Sequence, residues 1–217
     1  NDTKKRLKEQ GIDTYSLDSS LLVSEVTGLT KIQLVTHDRD EVTEEQINRL
    51  ENLVKERLKN KPMQYILGHC EFMGLDFKVT ENTLIPRGDT ENIVEEVIAT
   101  IENSGYNTVL DMCTGTGAIA ISVAHYTKAK VTASDISSKA LEVARENAKI
   151  LNADVNFIES DLFENINETF DVLVSNPPYI ESEVIPTLME QVKDYEPMLA
   201  LDLSLIHISE PTRQEAI

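Results

Sequence analysis

The chain has 217 residues, 41% of them hydrophobic, which suffices for one sizeable domain and a smaller one and excludes a disordered polypeptide. Its 38 acidic and 20 basic residues give a formal charge of −18, so we expect no direct binding to DNA or RNA, whose affinity comes mainly from phosphate neutralisation by Lys and Arg. No run of eighteen apolar residues and no apolar leader are present, which favours a cytoplasmic protein without a membrane segment.

Metal and disulfide chemistry are not expected. The two cysteines, Cys70 and Cys113, lie far apart without CxxC spacing, and none of the four histidines has partners at metal-ligand spacing. His69 and Cys70 are adjacent, but two neighbouring ligands fall short of a four-ligand site. We therefore predict no metal site and reduced cysteines.

Residues 1–62 are predicted to form a small helical domain. An apolar stripe of Leu17, Leu21, Leu22 and Val26 stops at Gly28, a residue suited to a helix end. A second helix is predicted to begin with a capping box, Thr43-Glu-Glu-Gln46. Nothing in this region indicates catalysis.

Residues 63–85 are predicted to be a hairpin linker. Lys61-Pro62 breaks the helical pattern, and the apolar residues from Phe72 to Val79 indicate two short strands with Gly74 at or near their turn. A further helix is expected after this linker, capped by Asp89 or Thr90. Arg87, just ahead of it, is either a solvated loop charge or an anchor for a carboxylate.

From Thr108 onward strands and helices alternate. Strands are predicted over 109–112, 130–135, 155–159 and 170–175, with helices at 118–126 and after the capping pair Ser137-Ser138. The succession β-α-β-α-β with right-handed crossovers predicts an α/β fold with a doubly wound parallel sheet.

The fourth strand ends in Asn176-Pro-Pro-Tyr179, because neither proline can donate to a strand ladder. Ligands of open α/β sheets bind at the carboxyl ends of strands. The stiff proline pair presents the Asn176 side chain and the Pro177 carbonyl together as acceptors, with Tyr179 as a flat wall. This arrangement suits a substrate that carries an NH2 group.

A glycine turn, Cys113-Thr-Gly-Thr-Gly117, joins the first strand to its helix. Gly115 and Gly117 allow the backbone to approach a ligand closely, and Asp135 at the tip of the second strand can accept hydrogen bonds from ribose hydroxyls. A nucleoside cofactor is therefore predicted. Since the glycines together with Ala120 also match the dinucleotide fingerprint, this motif alone leaves NAD open.

Three observations favour S-adenosylmethionine over NAD. Asp111, just before the turn, would repel a pyrophosphate but attract the ammonium group of a methionine moiety, directly or through water. Asp161 follows the third strand, where it can meet an adenine amino group. The Asn-Pro-Pro-Tyr end of the fourth strand is the third observation.

These blocks together resemble the HemK/PrmC-type family, the release factor glutamine methyltransferases. The resemblance covers residues 1 to about 202 and rests on Met63-Gln-Tyr-Ile-Leu-Gly68, Leu84-Ile-Pro-Arg87, Asp111-Met-Cys-Thr-Gly-Thr-Gly117, Asp135, Asp161-Leu-Phe163 and Asn176-Pro-Pro-Tyr179. It implies a class I, Rossmann-like methyltransferase domain over 86–202, and makes 1–62 a substrate-recognition domain.

The resemblance implies methyl transfer from S-adenosylmethionine to the glutamine amide of the Gly-Gly-Gln loop of bacterial peptide chain release factors. Carried over by position, it implies cofactor contacts for Cys113, Thr114, Gly115, Thr116, Gly117, Asp135 and Leu162, to which the argument above adds Asp111 and Asp161. It implies glutamine contacts for Asn176, Pro177, Pro178 and Tyr179, of which Asn176, Pro177 and Tyr179 are the predicted catalytic residues. No general base is identifiable.

The sequence departs from the family pattern at two places. Gly88 stands where the family usually has proline. After Asp202 the family pattern stops, and 203–213 resembles a translated sequencing adapter. We therefore expect 203–217 to be a non-native tail, the C-terminal strands to be missing and the fourth strand to have an exposed apolar edge. Two alternatives remain. One is an adenine amino-methyltransferase acting on nucleic acid, because such enzymes share the Asn-Pro-Pro-Tyr motif. The other is a catalytically inactive truncated fragment, because of the foreign tail.

Overall fold

The computed structural model describes residues 2–37 and 40–205, and the chain divides into two compact units, Asn1–His69 and the residues from Cys70 onward. Of the predicted tail, 203–217, the part from residue 206 onward lies outside the described residues. No helix in the described part of the chain is long and apolar enough to cross a membrane.

The first unit is helical, as predicted. Its helices are α1 (Asp2–Glu9), α2 (Tyr15–Thr27), α3 (Lys31–Thr36), α4 (Glu44–Leu58) and α5 (Met63–Leu67). Helix α2 ends at Gly28, whose left-handed backbone (φ 72°) lets its N–H reach the Ser24 carbonyl. The Thr43 hydroxyl and the Gln46 side chain form the predicted capping box of α4.

The first unit encloses an apolar core that includes Leu7, Leu22 and Val54. One ion pair is buried there: Arg57 Nε donates to Asp18 Oδ2 at 2.7 Å, with the two side chains 3% and 4% exposed. Desolvating two charges costs several kcal/mol per ion, on the order of what the pairing returns, so this contact fixes the helix arrangement more than it adds stability.

The segment predicted as a hairpin linker begins with helix α5 and continues into two strands, β1 (His69–Phe72) and β2 (Leu75–Lys78), which form a two-stranded sheet. The turn residues Met73 and Gly74 both have positive φ, 51° and 70°, as a tight two-residue hairpin turn requires. The predicted turn position of Gly74 is confirmed.

The second unit carries a parallel sheet with helices. Its elements are α6 (Gly88–Ser104), β3 (Thr108–Met112), α7 (Ala118–Tyr126), β4 (Lys130–Asp135), α8 (Ser138–Ile150), β5 (Val155–Glu159), β6 (Val172–Ser175), α9 (Glu190–Lys193) and α10 (Met198–Leu201), with short 3-10 turns at Ile185–Thr187 and Leu203–Leu205. The strand order is β5-β4-β3-β6, and all three strand pairs are parallel. The predicted doubly wound α/β fold is confirmed.

Two details differ from the sequence prediction. Helix α6 is preceded by Arg87 at the N-cap without a side-chain cap, and Asp89 and Thr90 lie inside its first turn. Strand β6 begins at Val172, two residues later than predicted, and lies at the edge of the described sheet. Its residue Leu173 is 53% exposed, as expected for an apolar edge.

Candidate functional site

A cavity in the second unit opens where the chain order of the strands reverses. Strand β3 is followed along the chain by β4 and β5 on one side, whereas β6 pairs on its other side. The loops that follow all four strands contribute to the cavity lining. Such a switch point at the carboxyl ends of parallel strands is the usual ligand crevice of this fold.

The glycine turn after β3 forms one wall of the cavity. Cys113, Thr114, Gly115 and Thr116 line it, whereas Gly117 does not. A Cβ at Gly115 would meet no atom within 4 Å, so the backbone there is open to a ligand. A Cβ at Gly117 would lie 2.8 Å from Ile121 Cδ1 and 3.2 Å from Ala144 Cβ. Gly117 therefore allows α8 to pack closely against the turn.

Asp111 lies behind this turn and is absent from the cavity lining. It is fully buried, and its Oδ2 accepts hydrogen bonds from Thr114 Oγ1 at 2.5 Å and from the Ala120 N–H at 3.1 Å. Oδ1 has no partner among the described residues. Burial raises the pKa of this carboxyl to about 7, although both hydrogen bonds act in the opposite direction.

Asp135 lines the cavity and ties two loops together. Its Oδ2 accepts from the Gly115 N–H and its Oδ1 from the Ser137 N–H, both at 2.9 Å. A carboxylate has about four acceptor sites, so capacity for ligand hydroxyls remains. Burial raises the pKa of the Asp135 carboxyl above its ordinary value, although its backbone hydrogen bonds act in the opposite direction.

The loop after β5 brings Asp161 and Leu162 to the cavity. Leu162 has a positive φ of 45°, an uncommon conformation for a branched residue. Ser160 stabilises it, because its hydroxyl donates to the Leu162 carbonyl and accepts from the Asn165 N–H, each at 2.9 Å. Two predicted cofactor residues are thus placed by a serine that the sequence pattern did not single out.

The residues after β6 divide into two groups. Asn176 and Pro178 line the cavity, whereas Pro177 and Tyr179 do not, and Tyr179 is 72% exposed. Just before them, Ser175 Oγ donates to the Met112 carbonyl at 2.8 Å, which holds the ends of β3 and β6 together. The Asn176 side chain makes no hydrogen bond in the described part of the chain, so its amide is available to a ligand.

Asn147 is a site-shaping residue that the sequence prediction missed. It is fully buried in α8, and its Nδ2 donates to the Thr116 carbonyl at 2.9 Å and to the Lys78 carbonyl at 3.0 Å. Its Oδ1 accepts from the Lys78 N–H at 2.8 Å. The signal in the sequence was a polar residue between Ala144 and Ala148 on the apolar face of α8.

Arg87 was left open as a solvated charge or a carboxylate anchor. It lines the cavity, and its Nη2 donates to Glu196 Oε1 at 2.5 Å. It therefore binds a carboxylate of its own chain.

Comparisons with known proteins place the chain in a family. Residues 1–68 match the family model described as PrmC N-terminal domain, and 93–194 match the methyltransferase small domain. A release factor glutamine methyltransferase of Clostridium acetobutylicum is 44% identical over 201 residues, which cover 90% of this chain and 70% of that protein. The chain belongs to the release factor glutamine methyltransferase family. The resemblance inferred from the sequence motifs is thereby confirmed.

Other members of the family match over similar lengths. The Fusobacterium nucleatum release factor glutamine methyltransferase is 45% identical, and the match covers 90% of this chain and 56% of that protein. Among solved structures, the Pyrococcus abyssi tRNA (uracil-54, C5)-methyltransferase in complex with S-adenosyl-L-homocysteine has a TM-score of 0.44 and 24% identity, covering 58% of this chain and 32% of that one. The matches thus span 56% to 70% of the length of these two relatives.

Proposed function

We propose that this protein is a release factor N5-glutamine methyltransferase that uses S-adenosylmethionine, acts on the Gly-Gly-Gln loop of bacterial peptide chain release factors and works in the cytoplasm. One observation carries the proposal: Asn176, whose amide makes no hydrogen bond among the described residues, lines the same cavity as the glycine turn and Asp135. A substrate amide and a nucleoside cofactor can therefore meet at the end of β6.

The cavity residues suit the cofactor. The open backbone at Gly115 admits the ligand, and the remaining acceptor sites of Asp135 suit a ribose diol. Asp111 lies behind the turn and outside the cavity lining. Its Oδ1 has no partner among the described residues, and a water that bridges it to the cationic end of the methionine moiety would satisfy this buried acceptor. S-adenosylmethionine supplies a methyl group on a sulfonium, which is a good electrophile.

The protein's own residues must activate the amide nitrogen. That nitrogen is a poor nucleophile because its lone pair is delocalised into the carbonyl. Asn176 Oδ1 accepts one of its N–H groups at the cavity wall. The Pro177 carbonyl, whose residue lies outside the cavity lining, accepts the other. The two hydrogen bonds orient the lone pair and become more favourable as the nitrogen acquires positive charge. After transfer the nitrogen loses a proton to water. Holding the amide nitrogen in line with the sulfonium methyl group supplies most of the rate enhancement.

The test is a methyl-transfer assay with radiolabelled S-adenosylmethionine and an unmethylated release factor. We expect label on the glutamine, and an Asn176→Ala variant with kcat lower by roughly 10²- to 10³-fold, as for loss of one transition-state hydrogen-bond partner. Its affinity for S-adenosylhomocysteine should be unchanged. Asn156→Ala is the matched control, because Asn156 is exposed on β5 and outside the cavity lining.

Two results would contradict the proposal. A folded wild-type chain that binds S-adenosylhomocysteine but labels no release factor would favour the inactive-fragment alternative. Label that appears instead on DNA adenine would favour the amino-methyltransferase alternative.

A further inference from the structure

An ion pair links two walls of the cavity. Arg87 precedes α6, and Glu196 lies 109 residues later in the segment between α9 and α10. On the Arg87 side the lining includes Leu84 and Pro86, and on the Glu196 side it includes Pro197, Leu199 and Ala200. The pair therefore connects two loops that are remote in sequence and that face the same ligand space.

The two partners of this ion pair are exposed to different extents. The Glu196 side chain is 1% exposed and its Oε2 has no partner among the described residues, whereas the Arg87 side chain is 45% exposed. Burial raises the pKa of Glu196 and the Arg87 charge opposes that rise. A buried carboxylate at this position is costly unless its partner stays in place, so Glu196 holds one edge of the guanidinium.

The other edge of the guanidinium is free to bind a ligand. Arginine carries five N–H donors in a rigid fork, and within the described residues Arg87 uses only its Nη2 for hydrogen bonding. Because Arg87 lines the cavity, its remaining donors can serve an oxygen acceptor of an incoming ligand.

The charge state of the pair favours a neutral acceptor. The guanidinium and its carboxylate partner together carry little net charge, so the pair attracts a second anion only weakly. It still presents aligned N–H donors, which suit a peptide carbonyl. In a Gly-Gly-Gln loop the two glycines carry no Cβ, so their main-chain carbonyls are accessible to such a fork.

We propose that Arg87 is a substrate-specificity residue that donates to a main-chain carbonyl of the Gly-Gly-Gln loop, and that Glu196 is the positioning residue that holds Arg87 in place. This inference rests on the proposed function and extends it from the glutamine side chain to the peptide backbone. The methionine carboxylate of the cofactor is the competing acceptor, and the measurements below separate the two.

The test compares steady-state kinetics on a release factor with the Kd for S-adenosylhomocysteine. In Arg87→Lys the charge remains but the fork is lost, and in Glu196→Gln one acceptor oxygen remains but the ion pair is lost. For both we expect the KM for the release factor to rise roughly tenfold, while kcat and the S-adenosylhomocysteine Kd stay within about twofold. A purely structural role would change all three together.

Two further variants serve as controls for this test. Replacing both partners, Arg87→Met with Glu196→Met, leaves no orphaned charge, so this chain should fold and still show the raised KM. Arg145→Lys is the matched control, because Arg145 is an exposed arginine of α8 in the second unit and does not line the cavity.

The possible results of these measurements distinguish a failure of the inference from a failure of the proposed function. A KM unchanged in Arg87→Lys and in the double variant overturns the inference while leaving the proposed function intact. A Kd for S-adenosylhomocysteine that rises with the KM overturns it in favour of the cofactor carboxylate. A wild-type chain that binds cofactor but transfers no methyl group overturns the proposed function and this inference with it.

Discussion

The two units of the chain use buried acidic groups differently. In the first unit Asp18 Oδ2 accepts from both Arg57 and Thr14 inside a helical core. In the second unit Asp111 and Glu196 each keep one buried oxygen without a partner among the described residues. Buried polar groups are normally satisfied, so the exceptions mark places where a ligand or water completes the bonding. The first unit uses its buried charge for structure, and the second keeps acceptors available near its cavity.

The largest effect is expected in the first unit. Arg57→Leu leaves Asp18 buried without its cation, and we expect the free energy of unfolding of this unit to fall by about 3–5 kcal/mol, measured by chemical denaturation. The S-adenosylhomocysteine Kd of molecules that remain folded should not change. In the double variant, Asp18→Leu with Arg57→Leu, most of the stability should return. A changed Kd for S-adenosylhomocysteine would contradict a purely structural role of the Asp18–Arg57 ion pair.

The next effect is expected at Asn147. Asn147→Leu removes the partner of three backbone groups, the buried Thr116 carbonyl and the part-buried N–H and carbonyl of Lys78, which should cost about 3 kcal/mol. Unlike the Arg57 variant, it should also weaken S-adenosylhomocysteine binding, because Thr116 belongs to the cavity wall. Isothermal titration and denaturation measure the two effects. The exposed Asn156→Leu is the control and should change neither.

The two glycines of the turn offer a sharper comparison. Gly117→Ala places a Cβ against Ile121 and Ala144 at a φ of 80°, and should destabilise the protein by about 2 kcal/mol. Gly115→Ala meets no neighbouring atom, so it should cost only the backbone strain, about 1 kcal/mol, yet weaken cofactor binding more. Equal effects of the two variants on stability and on Kd would contradict the separation of packing and binding roles.

A pH dependence is also expected from Asp111. Its pKa is about 7 in the folded state and near 4 in the unfolded state, so between these values the folded state binds the extra proton. Stability should therefore fall as pH rises from about 4 to about 7 and level off above. Asp111→Asn cannot titrate, and the difference in unfolding free energy between it and the wild type should change across that window. A constant difference would show that Asp111 ionises normally.

Local sequence signals predicted the elements of the second unit closely. The bounds of α7, β4 and β5 match those inferred from apolar runs and turn residues. Such runs report a strand or helix directly, because their periodicity follows from backbone geometry that needs no partner elsewhere in the chain. The glycine turn was recognisable for the same reason, since left-handed backbone at Gly115 and Gly117 favours glycine.

The sequence by itself determined the family, the fold class and part of the cavity lining, because motifs at strand ends meet at one edge of a parallel sheet. Tertiary structure alone decided that Asp111 lies behind the turn, that Gly117 serves packing, and that Arg87 pairs with Glu196. These facts depend on which side chains are brought together over long stretches of chain. Desolvation and partner choice arise only once the sheet and its loops have packed, so no local pattern records them.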